Sequence, residues 1–385
     1  MSASGEQTLG LYIHIPFCRS KCDYCDFYSL SGREPDMDHY LRALIAHIRH
    51  TAPTAAAFCV DTIYFGGGTP SIFGLQRLSQ VLTELKEHFH VLPDAEITLE
   101  GNPDSVDVPL LTGLRRAGFN RLSLGVQSAC DEQLRALHRP HTFVQAQQAV
   151  AAARAASIDN VSLDLIYGLP HQSMAQWQDT VEQVLLLHPE HLSCYGLKVE
   201  ENTPLHTRVQ QGESLPDDDA QADMYLWMVS RLEQAGYHQY EISNFARSGM
   251  QSRHNLRYWL IQPYLGFGPG AHSDFDGRRF SLIRDLDGYI QGVYNNLSVM
   301  DRCQTISHRE RAREYLMLRL RTTQGIDPEE YSRIYSMSFE PLKTLLLDYR
   351  KHGWVTQQGG RWHFTPEGFL LSNPLISQLL DAQPE

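Results

Sequence analysis

At 385 residues the chain is long for one domain and comfortable for a large domain plus a small one. It is 42% hydrophobic and 20% charged, the composition of a globular protein with a sizeable core, and its net charge of -12 excludes a general nucleic-acid partner, because a phosphate-binding surface needs excess Lys and Arg. No run of eighteen apolar residues and no charged-then-apolar leader is present, so the expected location is a reducing cytoplasm.

In chain order, the first strand-like run is Leu11–Ile15, and directly after it come Cys18, Cys22 and Cys25, spaced CxxxCxxC. Three thiolates on a short loop can hold three corners of a cubane [4Fe-4S] cluster, leaving the fourth iron without a protein ligand. An open metal position can bind a small molecule. The alternatives are a zinc knuckle or three unrelated thiols. Zinc would want a fourth Cys or His at a repeating short spacing, and none follows nearby. Disulfides are disfavoured by an odd count of seven Cys.

Further β-rich runs follow at Thr62–Phe65, Glu96–Leu99, Arg121–Val126, Val161–Ile166 and His191–Leu197. Helical periodicity separates them over Leu75–Phe89, Val108–Ala117 and Phe143–Ala156. Such βαβ repeats predict a parallel sheet with right-handed crossovers, an open or partial (β/α)6 barrel. Functional groups then belong at the strand C-terminal ends. Gly66-Gly67-Gly68-Thr69-Pro70 follows the second strand, and it is no phosphate loop because no Gly-Lys-Ser/Thr follows. Its backbone is able to receive a ligand's ammonium or carboxylate at close range. Glu100 ends the third strand, either as a carboxylate aimed at the same place or as a rim residue bonded to a loop amide. Gln127, Arg139 and Asp164 extend the ring. Asp164 lies in an apolar run where an unpaired charge is expensive, so Arg139 is its expected partner.

After Pro216 the pattern changes. Asp217–Asp219 form an N-cap cluster for a helix from about Ala220 to Ala235, with Gly236 at its C-terminal end. Then come Tyr240–Asn244, His254–Trp259 and a glycine-rich loop, Gly266–Gly270. From Thr305 a new unit reads as helix (Glu310–Arg321), helix (Pro341–His352) and a hairpin turning at Gly359-Gly360, a winged-helix-like pattern. Its Lys and Arg form no single stripe, so a lid or docking module is expected rather than a DNA reader.

Tyr12–Cys18, the CxxxCxxC spacing, Gly66–Pro70, Ser123–Ser128 and Asp164–Pro170, occurring in order, resemble radical S-adenosylmethionine (SAM) enzymes. Within them the chain is similar to the oxygen-independent coproporphyrinogen III oxidase (HemN-like) group over roughly residues 8 to 380. The resemblance implies an α/β fold with a partial radical SAM barrel over 1–216, a barrel extension over 217–304 and a HemN-type winged-helix-like domain over 305–385. It also implies a [4Fe-4S] cluster on Cys18, Cys22 and Cys25 that chelates S-adenosylmethionine. Tyr12, Gly67 and Glu100 would line that cofactor; Tyr24, Gly68, Thr69, Gln127, Arg139 and Asp164 match further cofactor-holding positions.

Two departures from the decarboxylating oxidase stand out. Phe27 occupies the position of a further Cys, and the first strand starts near residue 11, without that enzyme's N-terminal extension. Both resemble the HemW-type haem chaperones, as does His254-Asn255-Leu256-Arg257-Tyr258-Trp259, a match to HNxxYW. A His ligates haem iron through a ring nitrogen, and aromatic faces suit a porphyrin. Haem on His254, haem-requiring acceptor proteins and an electron donor for the cluster are therefore expected, with room for a dimer. The alternative function is radical decarboxylation of coproporphyrinogen III.

Overall fold

The computed structural model describes residues 7–383. Six parallel strands carry the first half: β1 Thr8–Ile15, β2 Cys59–Gly67, β3 His90–Gly101, β4 Arg121–Gln127, β5 Asn160–Tyr167 and β6 His191–Gly196. They lie side by side in sequence order, each joined to the next through a segment containing helix, as the βαβ pattern predicts. The helices Leu75–His88, Val108–Ala117 and Phe143–Ala155 fall where their periodicity places them.

The strands separate two environments by their period of two. Leu11, Ile13 and Ile15 are fully buried in the apolar core cluster. The alternate positions of β1 to β6 carry Tyr12, His14, Tyr64, Glu100, Arg121, Asp164 and His191, a polar set on the other face of the sheet. That inner face is polar and largely buried, and of these residues only Glu100 and Asp164 reach the cavity at the strand ends.

The sheet does not close. It gains strands at both edges, giving twelve in linear order. Tyr264–Phe267 pairs parallel to β1 and leads to His272–Phe275, Arg278–Leu282 and Met300–Thr305, while Asn244–Ala246 and His238–Gln239 extend β6. The expected loop at Gly266–Gly270 is therefore half strand. Glycine is needed there for packing: a Cβ on Gly266 would meet the His272 carbonyl oxygen at 2.2 Å.

The helix Asp218–Gln234 begins with the Asp217 side chain accepting from the Ala220 amide, as expected. The C-terminal unit contains His308–Arg319, Pro328–Tyr335, Glu340–Lys351 and the hairpin Val355–Gln358/Arg361–Phe364, turning at Gly359 and Gly360, both left-handed. The middle helix was not predicted, although Asp327 caps it through the amides of Glu329 and Glu330 and Pro328 opens it. No helix among the described residues is long and apolar enough to cross a membrane.

Candidate functional site

The loop after β1 is closed by a short parallel pairing of Phe17–Cys18 with Leu30–Ser31. Inside it the Cys25 amide donates to the Cys22 carbonyl at 3.1 Å, so Cys22 and Cys25 share one turn, with Cys18 on the strand pairing that opens the loop. The glycine run locks onto the base of this loop. The Gly68 amide donates to the Ile15 carbonyl and the Thr69 amide to that of Phe17, each at 2.8 Å. A Cβ on Gly68 would stand 2.6 Å from the Phe17 oxygen, so the position requires glycine for backbone-to-backbone contact.

At the C-terminal ends of the strands lies a cavity of about 600 Å³. Cys18, Cys22, Cys25, Tyr24, Gly67, Gly68, Thr69, Glu100, Gln127, Arg139 and Asp164 all line it. Eleven of the thirteen expected site residues thus converge, from β1 round to β5. Tyr12 and His254 do not line it.

The electrostatics of the wall are specific. Arg139 is part-buried; it donates to Cys22 Sγ at 3.2 Å, Asn102 Oδ1 at 2.8 Å and the Gly125 carbonyl at 2.7 Å. Its Nε has no partner. Asn102 also donates to Thr69 Oγ1, which stands 3.4 Å from Cys18 Sγ. Asn102 was not singled out in the sequence, although it sits two residues beyond Glu100. Burial raises the thiols of Cys18 and Cys25, and neighbouring thiols raise them further, so binding a metal displaces protons from this loop.

Glu100 combines both roles expected of it. Its Oε2 accepts from the Gly67 amide at 3.1 Å, its Oε1 from the Tyr64 hydroxyl at 2.7 Å, and the residue still lines the cavity. Burial pushes its carboxyl up to about 7 despite the two donors. Gln127 owes its aim to a bulge between Gly125 and Gln127 and to a left-handed backbone, φ 69°.

Asp164 corrects an expectation. Its hydrogen-bond partners are the hydroxyls of Ser193, Ser123 (3.2 Å) and Ser162 (3.4 Å), not Arg139, which is committed to Cys22 and Asn102. Burial raises its carboxyl, opposed first by the Ser193 hydroxyl, then by the Arg121 charge on the next strand and by Ser123 and Ser162. Ser123 also lines the cavity and was missed as a site residue.

Tyr12 lies deeper, its hydroxyl 3.1 Å from His14 Nδ1. His254 belongs to the helix Arg253–Trp259, which packs near the N-terminal ends of the strands: the Arg253 and His254 amides donate to Glu96, and Arg257 pairs with Asp61 and the Thr8 carbonyl. The His254 ring is fully buried, with Nδ1 2.9 Å from Thr62 Oγ1, Nε2 2.8 Å from the Tyr258 hydroxyl, and Tyr64 stacked on it at 5.1 Å. Both nitrogens are engaged. The axial-ligand role expected for His254 is not offered by this geometry, because the helix turns the ring inward as a plug.

The donor set fits an iron–sulfur cluster held by three protein ligands. Three thiols share one wall, a part-buried cation neutralises thiolate charge beside Cys22, and neither His nor a fourth Cys lines the cavity among the described residues. A cationic Arg139 and the separate carboxyls of Glu100 and Asp164 suit a zwitterionic ligand on the remaining wall. An α/β barrel with its chemistry at the strand C-termini and three clustered cysteines defines a radical SAM protein.

Comparison with known proteins agrees. The radical SAM superfamily matches residues 12–184 and the HemN C-terminal domain matches 306–371. The heme chaperone HemW of Haemophilus influenzae is 33% identical, covering 97% of this chain and 98% of its own; that of Escherichia coli is 35% identical at 97% and 98%. The solved structure of Escherichia coli coproporphyrinogen III oxidase (HemN), a radical SAM enzyme, superposes with a TM-score of 0.83 at 27% identity, over 98% of this chain and 90% of that one. The chain belongs to the HemW family of the radical SAM superfamily.

Proposed function

We infer that this protein is a haem chaperone that carries a [4Fe-4S] cluster and S-adenosylmethionine, takes up haem and delivers it to haem-requiring apoproteins. The observation that carries the reading is similarity to curated heme chaperones along nearly the whole of both chains. Cys18, Cys22 and Cys25 would hold the cluster. Glu100, Asp164 and the Gly67 backbone would meet the amino group and hydroxyls of S-adenosylmethionine, and Arg139 would compensate thiolate charge, a reading supported by their sharing one cavity. When bound, the cluster supplies an electron to the cofactor's sulfonium. The cysteine loop needs a reducing compartment, which supports a cytoplasmic site of action.

The second reading, coproporphyrinogen III oxidation, is favoured by the superposition on HemN. Against it stands Phe27, 66% exposed on the cavity rim where the oxidase has a Cys. Anaerobic incubation of reconstituted protein with coproporphyrinogen III and S-adenosylmethionine, beside a haem titration, separates the two. Stoichiometric haem binding without turnover is the expected result. Conversion of coproporphyrinogen III with no haem bound would establish the oxidase.

A further inference from the structure

A second cleft lies on the far side of the inward-turned His254. It is about 450 Å³, within the range of small-molecule sites, and opens between the barrel extension and the C-terminal unit. Its floor is the turn after the helix Arg253–Trp259, where Leu260 and Ile261 enter the lining. Ile261 has φ 55°, a left-handed backbone that a β-branched residue adopts only under strain. The chain accepts that strain and so sets an apolar side chain on the cleft wall.

The opposite wall is one face of the helix His308–Arg319, with Tyr315 and Arg319, joined by Ile334 and Tyr335 of the following helix. Aromatic and aliphatic surface therefore faces the space from both sides. The charges are distributed unevenly. Asp274 is taken by Arg279 and Arg311, and Glu330 by Tyr315 and Arg361. Arg319 differs. Its side chain is 9% exposed, its guanidinium lies 5.6 Å from the Tyr315 ring centre and pairs with Glu330 at 3.5 Å, yet its Nε has no hydrogen-bond partner. An aromatic-walled cleft lined by a guanidinium, one N–H of which has no protein acceptor, suits an anionic group carried on a flat apolar body.

We propose that this cleft is the seat of haem, with the tetrapyrrole against Ile261, Ile334 and Tyr335 and one propionate on Arg319. The proposal rests on the haem-chaperone reading and gives it a location. It also accounts for haem handling beside the HNxxYW helix while His254 stays buried: the motif shapes the cleft floor through the turn it ends in, and the recognition groups come from the C-terminal unit.

The test uses full-length protein, titrated with haem, with protoporphyrin IX and with protoporphyrin IX dimethyl ester, whose propionates are uncharged. Ile334 is 42% exposed, so Ile334→Glu should leave the melting temperature unchanged and weaken haem binding at least tenfold. Arg319→Gln should weaken binding of the free acids by roughly tenfold to a hundredfold. Esterification should impose a similar loss on the wild type and little further loss on Arg319→Gln, a dependence that a merely structural arginine would not produce. Wild-type haem affinity in Ile334→Glu overturns the cleft and leaves the chaperone reading standing. An ester penalty undiminished in Arg319→Gln overturns the propionate assignment. Absence of stoichiometric haem in the wild type overturns the chaperone reading itself.

Discussion

Arg139 donates to the sulfur of Cys22 across 3.2 Å, joining the loop after β4 to the loop after β1. The bond places one part-buried positive charge directly beside the thiol group that the cluster would use. A cation near an iron–sulfur cluster favours its reduced, more negative form. Arg139→Leu should therefore lower the midpoint potential of the reconstituted cluster, measured by redox titration of its paramagnetic signal. An unchanged potential would remove Arg139 from the electrostatics of the site.

Replacing Cys18, Cys22 and Cys25 together by Ala should abolish the brown chromophore near about 400 nm and the bound iron, while Cys59, Cys130, Cys194 and Cys303, none of them on the cavity wall, stay dispensable. Iron analysis of the reconstituted triple variant decides this. About four irons per chain in that variant would refute the assignment.

Glu100 makes stability depend on pH with a definite sign. Its folded value of about 7 lies above the ordinary 4.5, so the protonated form stabilises the fold. That contribution is complete below pH 4.5 and is lost as pH rises through 7. Glu100→Gln should flatten this fall without erasing it, because burial also raises Asp164 and takes Glu241 to about 7. Melting curves of the metal-free protein across this interval test the slope. The same variant should lose roughly 1.5–3 kcal/mol of S-adenosylmethionine affinity, typical of a charged hydrogen bond.

His254→Ala should destabilise the fold by about 2–4 kcal/mol, since it empties a buried ring site and strands the Thr62 and Tyr258 hydroxyls. Chemical denaturation measures the loss. The folded variant should still bind haem; abolition of binding with unchanged stability would instead make His254 a ligand.

The parallel half of the fold was legible because each β-rich run is followed by helical periodicity, and the cysteine loop because its spacing is local. The strand ends were then enough to gather Glu100, Gln127 and Asp164. What the sequence hid depends on distant partners. Arg139 and Asp164 looked complementary, yet Asp164 is satisfied by serines on its own and both neighbouring strands, a register effect invisible in one dimension. His254 carried the chemistry of a ligand, but only its place against Thr62 and Tyr64 reveals a ring turned inward. Gly266–Gly270 looked like a loop because glycine serves close sheet packing as well as turns.

The Phe17–Leu30 pairing, with the amides of Gly68 and Thr69, ties down both ends of the cysteine loop using backbone alone. A loop held this way should keep its shape before metal arrives, unlike a zinc finger whose ligands stay scattered until the ion binds. The chain should then reach its native shape first and receive iron and sulfide afterwards, which far-UV and near-UV circular dichroism of the metal-free protein would show. Oxidative loss of the cluster would then leave an intact receptacle ready for repair rather than an unfolded polypeptide.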